Sequence, residues 1–329
     1  MLVDNHGREI NYVRLAVTDR CNLRCFYCMP EEGITYVKRE KLMTYEEMER
    51  LISVLASEGI NKVRITGGEP FLRKGMYEFL QTIANIDGIS DLHITTNGTL
   101  TKGRVKDFEK IGIKSVNLSL DSVDKDRFFQ ITRRDEFDTV MNTLHELIEY
   151  GIETKINCVV MQGQNIQDIL PMVRLTENYP VSVRFIEEMP FNGSGDHPST
   201  LFWTSEQTVK HIKASYPSLE KVKDPPHSTS FNYQISGHQG SVGFIAAYSR
   251  LFCGSCNRIR VTPQGMLKTC LYDSGVFSIR ELLRNGASDE ELKVAIQSAI
   301  SHRAKDGFEA EKSRGFNNAV SESMATIGG

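Results

Sequence analysis

The sequence predicts an α/β fold: a partial (β/α)6 barrel followed by a C-terminal extension. Two observations carry this. First, six short β-rich runs, at 13–18, 62–66, 92–96, 115–120, 154–160 and 182–186, alternate with helical runs. Consecutive β–α units of this kind assemble a parallel sheet. Second, the runs alternate polar and apolar residues, which puts each polar set on one face of the sheet. Strands covered by helices on both faces read instead as nearly continuous apolar runs. Helices must cover the apolar face, so the polar face lines something wet or ligand-filled. A sheet with one bare solvent face is the alternative, and βαβ crossovers rarely leave one.

Taken in order, Arg14, Ala16 and Thr18 alternate with Val13, Leu15 and Val17. Arg64 and Thr66 alternate with Val63 and Ile65, and His93 and Thr95 with Leu92 and Ile94. Asn117 and Ser119 alternate with Val116, Leu118 and Leu120, and Lys155 and Asn157 with Ile156, Cys158 and Val160. The predicted lumen is therefore polar and basic. The clearest helix follows Thr44: Thr44 and Glu47 have capping-box spacing, Met48, Leu51, Ile52 and Leu55 share a face, and Gly59 ends it. Phe137, Val140, Met141, Leu144, Leu147 and Ile148 make a second apolar stripe. Weaker helices fit 75–86, 102–111 and 166–176. After Pro190 the pattern breaks. Residues 191–200 and 221–230 are rich in Gly, Pro, Ser and Asp and read as loops around a helix at 204–216. Short strands from Phe231, helices at 278–284 and 289–302, and a tail complete the chain. A soft boundary near 220 divides it into 1–220, the barrel, and 221–329, the extension.

Length and charge narrow the class. The chain has 329 residues, with 39 Lys+Arg against 42 Asp+Glu and a formal net charge of −3. Hydrophobic residues make up 40% and charged residues 25%, a soluble globular composition that opposes disordered, collagenous and membrane classes. The near-neutral balance gives no support to bulk nucleic-acid binding. The first ten residues lack the apolar core of a signal peptide, and no apolar run is long enough to span a bilayer. A cytoplasmic location is the default expectation.

The seven cysteines are the chemical signal, and an odd number without a leader opposes a disulfide framework. Cys21, Cys25 and Cys28 follow the first strand with Cys-x3-Cys-x2-Cys spacing. Three close thiolates can hold one metal centre. Zinc requires a fourth ligand for a closed site, whereas a four-iron cluster held by three thiolates keeps one iron free for a small molecule. Cys253, Cys256 and Cys270 form a second group of three. Zinc completed by His227 or His238 remains one reading of it. Arg258 and Arg260, on one face of the next strand, favour an anion or purine grip beside an open metal site. Cys158 shares an apolar face with Ile156 and Val160 and reads as a small buried hydrophobe.

With an aromatic residue, Tyr27, before the third cysteine, the first group resembles the signature of the radical S-adenosylmethionine superfamily. The segment Thr66-Gly67-Gly68-Glu69-Pro70, at the end of the second strand, resembles its second hallmark. Taken with Thr-Thr-Asn-Gly at 95–98, Ser-Leu-Asp at 119–121, Arg-Phe-Ile-Glu at 184–187, Cys-x2-Cys-x-Arg-x-Arg and the terminal Gly328-Gly329, the whole chain resembles the GTP 3′,8-cyclase family of molybdenum cofactor biosynthesis. Residues 190–240 carry none of its motifs.

The resemblance implies a TIM-like partial barrel, with a second iron–sulfur cluster in the extension. It implies two 4Fe–4S clusters, one on Cys21, Cys25 and Cys28 and one on Cys253, Cys256 and Cys270. It assigns Tyr27, Gly68, Glu69, Ser119 and Met189 to S-adenosylmethionine, and Arg14, Arg64, Thr95, Lys155, Arg258 and Arg260 to GTP. Arg258 and Arg260 also become candidates for the ring-closing step. The implied activity is conversion of GTP to (8S)-3′,8-cyclo-7,8-dihydroguanosine 5′-triphosphate, a lyase reaction early in molybdopterin synthesis. The implied partners are a one-electron donor and a downstream cyclic pyranopterin monophosphate synthase, with a homodimer compatible and neither nucleic acid nor membrane expected. In the family the Gly-Gly tail reaches the active pocket. The rival readings are a peptide-modifying radical enzyme, which usually carries more C-terminal cysteines, and a zinc-binding interaction module.

Overall fold

The computed structural model describes residues 1–191, 203–313 and 322–328. A two-stranded antiparallel hairpin, β1 (Leu2–Val3) and β2 (Glu9–Ile10), comes first. Strands and helices then alternate: β3 (Tyr12–Ala16), α1 (Tyr45–Ser57), β4 (Lys62–Thr66), α2 (Met76–Ala84), β5 (Asp91–Thr96), α3 (Val105–Ile111), β6 (Ser115–Ser119), α4 (Lys125–Thr132), α5 (Phe137–Glu149), β7 (Glu153–Val160), α6 (Ile169–Asn178) and β8 (Ser182–Glu187). Each of these strands from β3 onward pairs in parallel with the next. Beyond β8 come α7 (Ser205–Ser215), β9 (Leu219–Lys221), β10 (Phe231–Ile235), β11 (Ser241–Ile245), β12 (Arg258–Val261), β13 (Met266–Lys268), β14 (Phe277–Ser278), α8 (Ile279–Arg284), α9 (Asp289–Ser301), α10 (Gly307–Ser313) and α11 (Met324–Ile327).

The later strands extend the same sheet at both ends. β11 adds in parallel to β8, and β12 adds in parallel to β3. The order is β14-β13-β12-β3-β4-β5-β6-β7-β8-β11-β10-β9, and its two ends do not pair with each other among the described residues. The barrel is therefore partial. Its β12 edge is continued by the antiparallel β13 and β14, and its β11 edge by β10 and β9.

Local chemistry sets the helix boundaries. Both halves of the capping box at Thr44 and Glu47 form, and Met48, Leu51, Ile52 and Leu55 of α1 are buried. Thr204 and Gln207 make an equivalent box on α7. The helix α4 carries no strong apolar signal in sequence. It starts where the Asp124 side chain accepts a hydrogen bond from the Arg127 N–H, and it buries Phe128 and Ile131. The predicted helix at 102–111 begins only at Val105. The one at 166–176 is a tight turn over Ile166–Asp168 followed by α6. The predicted loop at 191–200 lies outside the described residues except for Phe191. The strands' apolar face supplies Val13, Leu15, Val63, Ile65, Ile94, Val116, Leu118, Ile156 and Val183 to a single core with the helices. Cys158 is 1% exposed in that core, and its thiol also donates to the Asp121 carbonyl at 3.6 Å. Among the described residues no helix is long and apolar enough to cross a membrane.

Leu144, fully buried where α5 meets the sheet, tests this packing. Leu144→Ala should cost about 2–5 kcal/mol, read as a lowered melting temperature with unchanged far-UV circular dichroism at 20–25 °C.

Candidate functional site

The polar face of the sheet closes around one cavity of about 450 Å³. Residues from β3 to β8, from β11 and from β12 all line it, so the sheet curls about it. Both cysteine groups open onto this space.

The first group sits on the loop after β3. A turn fixes it, with the Cys28 and Met29 N–H groups donating to the Cys25 carbonyl at 2.9 and 3.0 Å. The end of β4 presses against the same loop. Gly68 N–H donates to the Thr18 carbonyl at 2.8 Å and Glu69 N–H to the Arg20 carbonyl at 2.7 Å. A Cβ on Gly68 would stand 2.3 Å from the Arg20 carbonyl oxygen. Gly67 has φ +152°, and a Cβ there would meet the Thr18 carbonyl at 2.5 Å. The glycine pair is thus needed for backbone-to-backbone contact that holds the cysteine loop, while Gly68 also lines the cavity.

Glu69 sits apart from the other candidate residues. Its side chain is fully buried and does not line the cavity. The carboxylate accepts from Thr96 Oγ1 at 2.9 Å, from Asn97 N–H at 2.7 Å and from Phe71 N–H at 3.1 Å. Burial pushes its pKa up to about 7 against those hydrogen bonds. It ties the end of β4 to the end of β5, and Asn97 in turn reaches Cys21 Sγ at 3.7 Å. Tyr27 lines the cavity and donates to Asp121 at 2.8 Å. Burial pushes Cys21 up to about 12, and raises Cys25 and Cys28 as well.

The second group starts on a tight turn, Cys253–Ser255, and ends after β13. Asp273 accepts from the N–H groups of Thr269 and Cys270 at 2.8 and 2.7 Å, which fixes Cys270. Burial raises Cys253, and raises Cys270 to about 11. Cys256 goes the other way: burial opposes it, but Arg258 and Arg303 draw it down to about 6. His227 lines the cavity with its Nδ1 at 3.0 Å from the Ser255 carbonyl. His238 lies elsewhere, with Nδ1 2.8 Å from Thr176 Oγ1. Among the described residues no three His, Cys, Asp or Glu side chains are arranged to hold a single metal ion. Three thiols at the corners of a four-iron cube stand farther apart than the ligands of one tetrahedral ion, each about 2.3 Å from the metal.

Between the two groups, strand register stacks cations in rungs. Arg260, Arg14 and Arg64 are neighbours across β12, β3 and β4. Thr95, Asn117 and Lys155 are neighbours across β5, β6 and β7. Ser119, Asn157 and Arg184 form a further rung, and Arg258, Tyr12 and Lys62 another. Arg64 Nε donates to the Tyr12 hydroxyl at 2.8 Å. Burial, and then repulsion from Arg184 and Arg64, pulls Lys155 down to about 8 despite its 2.7 Å ion pair with Glu153. Burial and a neighbouring guanidinium lower Arg260 and Arg184 to about 10. Burial would raise Tyr12, yet Arg64, Arg14 and Arg258 bring it down to about 7. Thr95 Oγ1, Asn117 Oδ1, Asn157 Oδ1, Arg184 Nε and Arg258 Nε are buried without a hydrogen-bond partner among the described residues. Buried polar atoms of this kind want a polar ligand.

Every sequence-predicted site residue except Glu69 and His238 lines the cavity, Ser119 and Met189 included. Sequence reasoning missed Arg184 as a ligand-facing cation, although it alternates with Val183 and Phe185. It also missed Tyr12 and Arg303, which carry no local signal. The tail enters too. Ser323 caps α11 and donates to the Cys28 carbonyl at 2.7 Å, and Arg260 Nη1 donates to the Gly328 carbonyl at 2.7 Å. Gly329 lies outside the described residues.

Residues 15–176 match the family model described as the radical SAM superfamily, and residues 181–308 match Molybdenum Cofactor Synthesis C. In fold the chain resembles the crystal structure of Streptococcus suis SuiB, with a TM-score of 0.63 at 15% identity, covering 91% of this chain and 71% of that one. It is 40% identical to the mitochondrial GTP 3′,8-cyclase of Arabidopsis thaliana, covering 92% of this chain and 78% of the relative. It is 39% identical to the GTP 3′,8-cyclase of Syntrophomonas wolfei, covering 95% and 98%. Molybdenum cofactor biosynthesis protein 1 of Bos taurus is 39% identical over 92% of this chain, which spans 48% of that relative's length. The fold and the first cysteine loop thus define a radical S-adenosylmethionine protein. Within that class, the chain belongs to the GTP 3′,8-cyclase family.

Gly68→Ala should disturb the first cysteine loop selectively. The added Cβ forces the Arg20 carbonyl away at a cost of about 1–3 kcal/mol. Timed alkylation of the metal-free chain, read by mass spectrometry, should show faster labelling of Cys21, Cys25 and Cys28, with Cys253, Cys256 and Cys270 unchanged.

Proposed function

We propose that the chain is a radical S-adenosylmethionine enzyme that cyclises GTP to (8S)-3′,8-cyclo-7,8-dihydroguanosine 5′-triphosphate in molybdopterin synthesis. The observation that carries this is the convergence of two three-thiol groups and a cation ladder on one cavity. The donor sets fit the implied groups. Cys21, Cys25 and Cys28 would hold one four-iron cluster and Cys253, Cys256 and Cys270 a second, each leaving an iron open to a ligand. With S-adenosylmethionine, a cluster on Cys21, Cys25 and Cys28 would supply the one-electron chemistry needed to join C3′ of the GTP ribose to C8 of guanine.

The chain's own residues position and shield. Arg14, Arg64, Lys155 and Arg184 hold the triphosphate through charge-assisted hydrogen bonds. Thr95 and Asn117, with their unpartnered oxygens, orient the nucleotide beside them. Arg258 and Arg260 place the guanine against the second group and carry positive potential to the closing ring. Tyr27, Gly68, Ser119 and Met189 form the S-adenosylmethionine wall. With Glu69 committed elsewhere, backbone carbonyls at the end of β4 meet the methionine ammonium. Residues 1–220 thus supply the radical-generating wall and 221–329 the second group. The walls of the cavity limit the access of solvent to a reactive radical. The reaction draws one electron from an external donor, and its product suits a downstream cyclic pyranopterin monophosphate synthase.

Anaerobic incubation with GTP, S-adenosylmethionine and dithionite tests the reading. Formation of 5′-deoxyadenosine together with loss of GTP is expected. 5′-Deoxyadenosine without loss of GTP leaves the superfamily standing and overturns the cyclase. Arg260→Ala should keep the iron content and lower GTP turnover by about 10²-fold or more.

Lys155 gives the pH dependence. Its buried ammonium titrates near 8, so it is charged below that value and neutral above it. A bound triphosphate favours the charged form, so binding takes up a proton above about pH 8, and affinity for GTP falls as pH rises through that value. Lys155→Arg keeps its charge across this range. Calorimetric titration should therefore show a flatter profile for the variant.

A further inference from the structure

The second cysteine group is backed by a buried cation that the reaction does not use. Arg303 follows α9 and is 4% exposed. Its guanidinium is held on several sides. Nη2 donates to Cys256 Sγ at 3.0 Å and to the Arg258 carbonyl at 3.1 Å. Nη1 donates to the Cys256 carbonyl at 3.0 Å and lies 3.5 Å from Asp4 Oδ2. Asp4 is fixed in turn by Arg8 Nε at 2.6 Å and by the N–H groups of His6 and Arg8 at 2.9 Å. Arg8 then clamps the same region, donating to the carbonyls of Cys253 at 3.0 Å, Ala304 at 3.0 Å and Lys305 at 2.6 Å. The turn between β1 and β2 thereby locks Arg303 onto one sulfur.

The first group has no such partner among the described residues. The side chains that reach its sulfurs are neutral: the Asn97 amide, 3.7 Å from Cys21, the Ser323 hydroxyl, 3.8 Å from Cys28, and the Tyr27 hydroxyl at Cys25. The asymmetry has a direct consequence. Reducing a cluster adds negative charge that spreads onto its thiolate sulfurs. A cationic donor on one of those sulfurs stabilises the reduced state more than the oxidised one, and so raises the reduction potential. The Asp4 carboxylate offsets part of the charge, but it meets Nη1 while the sulfur meets Nη2, and it fixes the direction of the donor.

We propose that Arg303, oriented by Asp4 and Arg8, is a positioning residue that hydrogen-bonds the Cys256 thiolate and raises the reduction potential of the cluster held by Cys253, Cys256 and Cys270. This rests on the reading of those cysteines as cluster ligands.

The test uses the full chain with Cys21, Cys25 and Cys28 all replaced by Ala, so that one cluster remains. It is reconstituted anaerobically with iron and sulfide and titrated with dithionite through mediators, with the reduced cluster followed by electron paramagnetic resonance. Arg303→Gln should lower the midpoint potential at unchanged iron content. Arg303→Lys, which keeps the charge but not the fork, should lie between. An unchanged midpoint in a fully loaded Arg303→Gln chain overturns the proposal. A second measurement does not depend on the variants loading. With arginine labelled by ¹⁵N at the two Nη atoms, pulsed spectra of the reduced cluster in the Arg303-bearing chain should show a ¹⁵N coupling; its absence overturns the proposal. Failure of the Arg303-bearing chain to build a four-iron cluster overturns the ligand reading itself, and this inference with it, and is told apart by the iron count.

Discussion

Repulsion among the cavity's cations is the constraint on which the site depends. Arg14, Arg64, Arg184, Arg258, Arg260 and Lys155 share one small space, and burial and their neighbours lower the values of Arg14, Lys155, Arg184 and Arg260. Left to itself such a set would separate. What keeps it together is covalent: each cation sits on a strand whose register is fixed by the core on the opposite face. The energy of the helix-covered apolar face is thus what holds the charged face in an unfavourable arrangement. A polyanion in the cavity would relieve it. The binding site is a strained electrostatic assembly completed by its ligand.

The same logic reconciles an almost neutral chain with a cavity whose chemistry suits a highly charged ligand. The surface mixes both signs, while the parity of the strands concentrates cations inward. Small neutral groups, Thr95 and Asn117, share a rung with Lys155, so cations do not fill every position of the polar face. The two cysteine groups lie at different depths of polarity. One is surrounded by amide, hydroxyl and carboxylate neighbours. The other is flanked by Arg258 and Arg303, which alone among the six thiols brings Cys256 below its ordinary value.

Much of this was legible in the sequence, because strand parity is a local property. Arg14, Arg64 and Lys155 announced their face by alternation with Val13, Val63 and Ile156. The cysteine spacings and the Gly67-Gly68 turn were local as well. What was hidden depends on distant contact. Nothing around Glu69 shows that Thr96 and Asn97 consume its carboxylate. Nothing near Arg303 points to Cys256, because the partners meet only when the end of α9 folds against the turn after Cys253. The placement of β11 and β12 beside β8 and β3 is a tertiary fact of the same kind, and it turned an expected appendage into part of the barrel wall.

The seating of β12 against β3 also bears on how the molecule is made. Asn257 and Asn11, which hydrogen-bond where these strands begin to pair, are 246 residues apart. During synthesis β3 therefore emerges early and waits with one edge unsatisfied until most of the chain has followed. Contacts of such long sequence separation are slow to form, and an exposed parallel edge invites pairing with a wrong partner. Over the same interval the loop bearing Cys21, Cys25 and Cys28 lacks the wall that later encloses it. Until β12 is seated, the side of the cavity that it comes to line stays open to solvent.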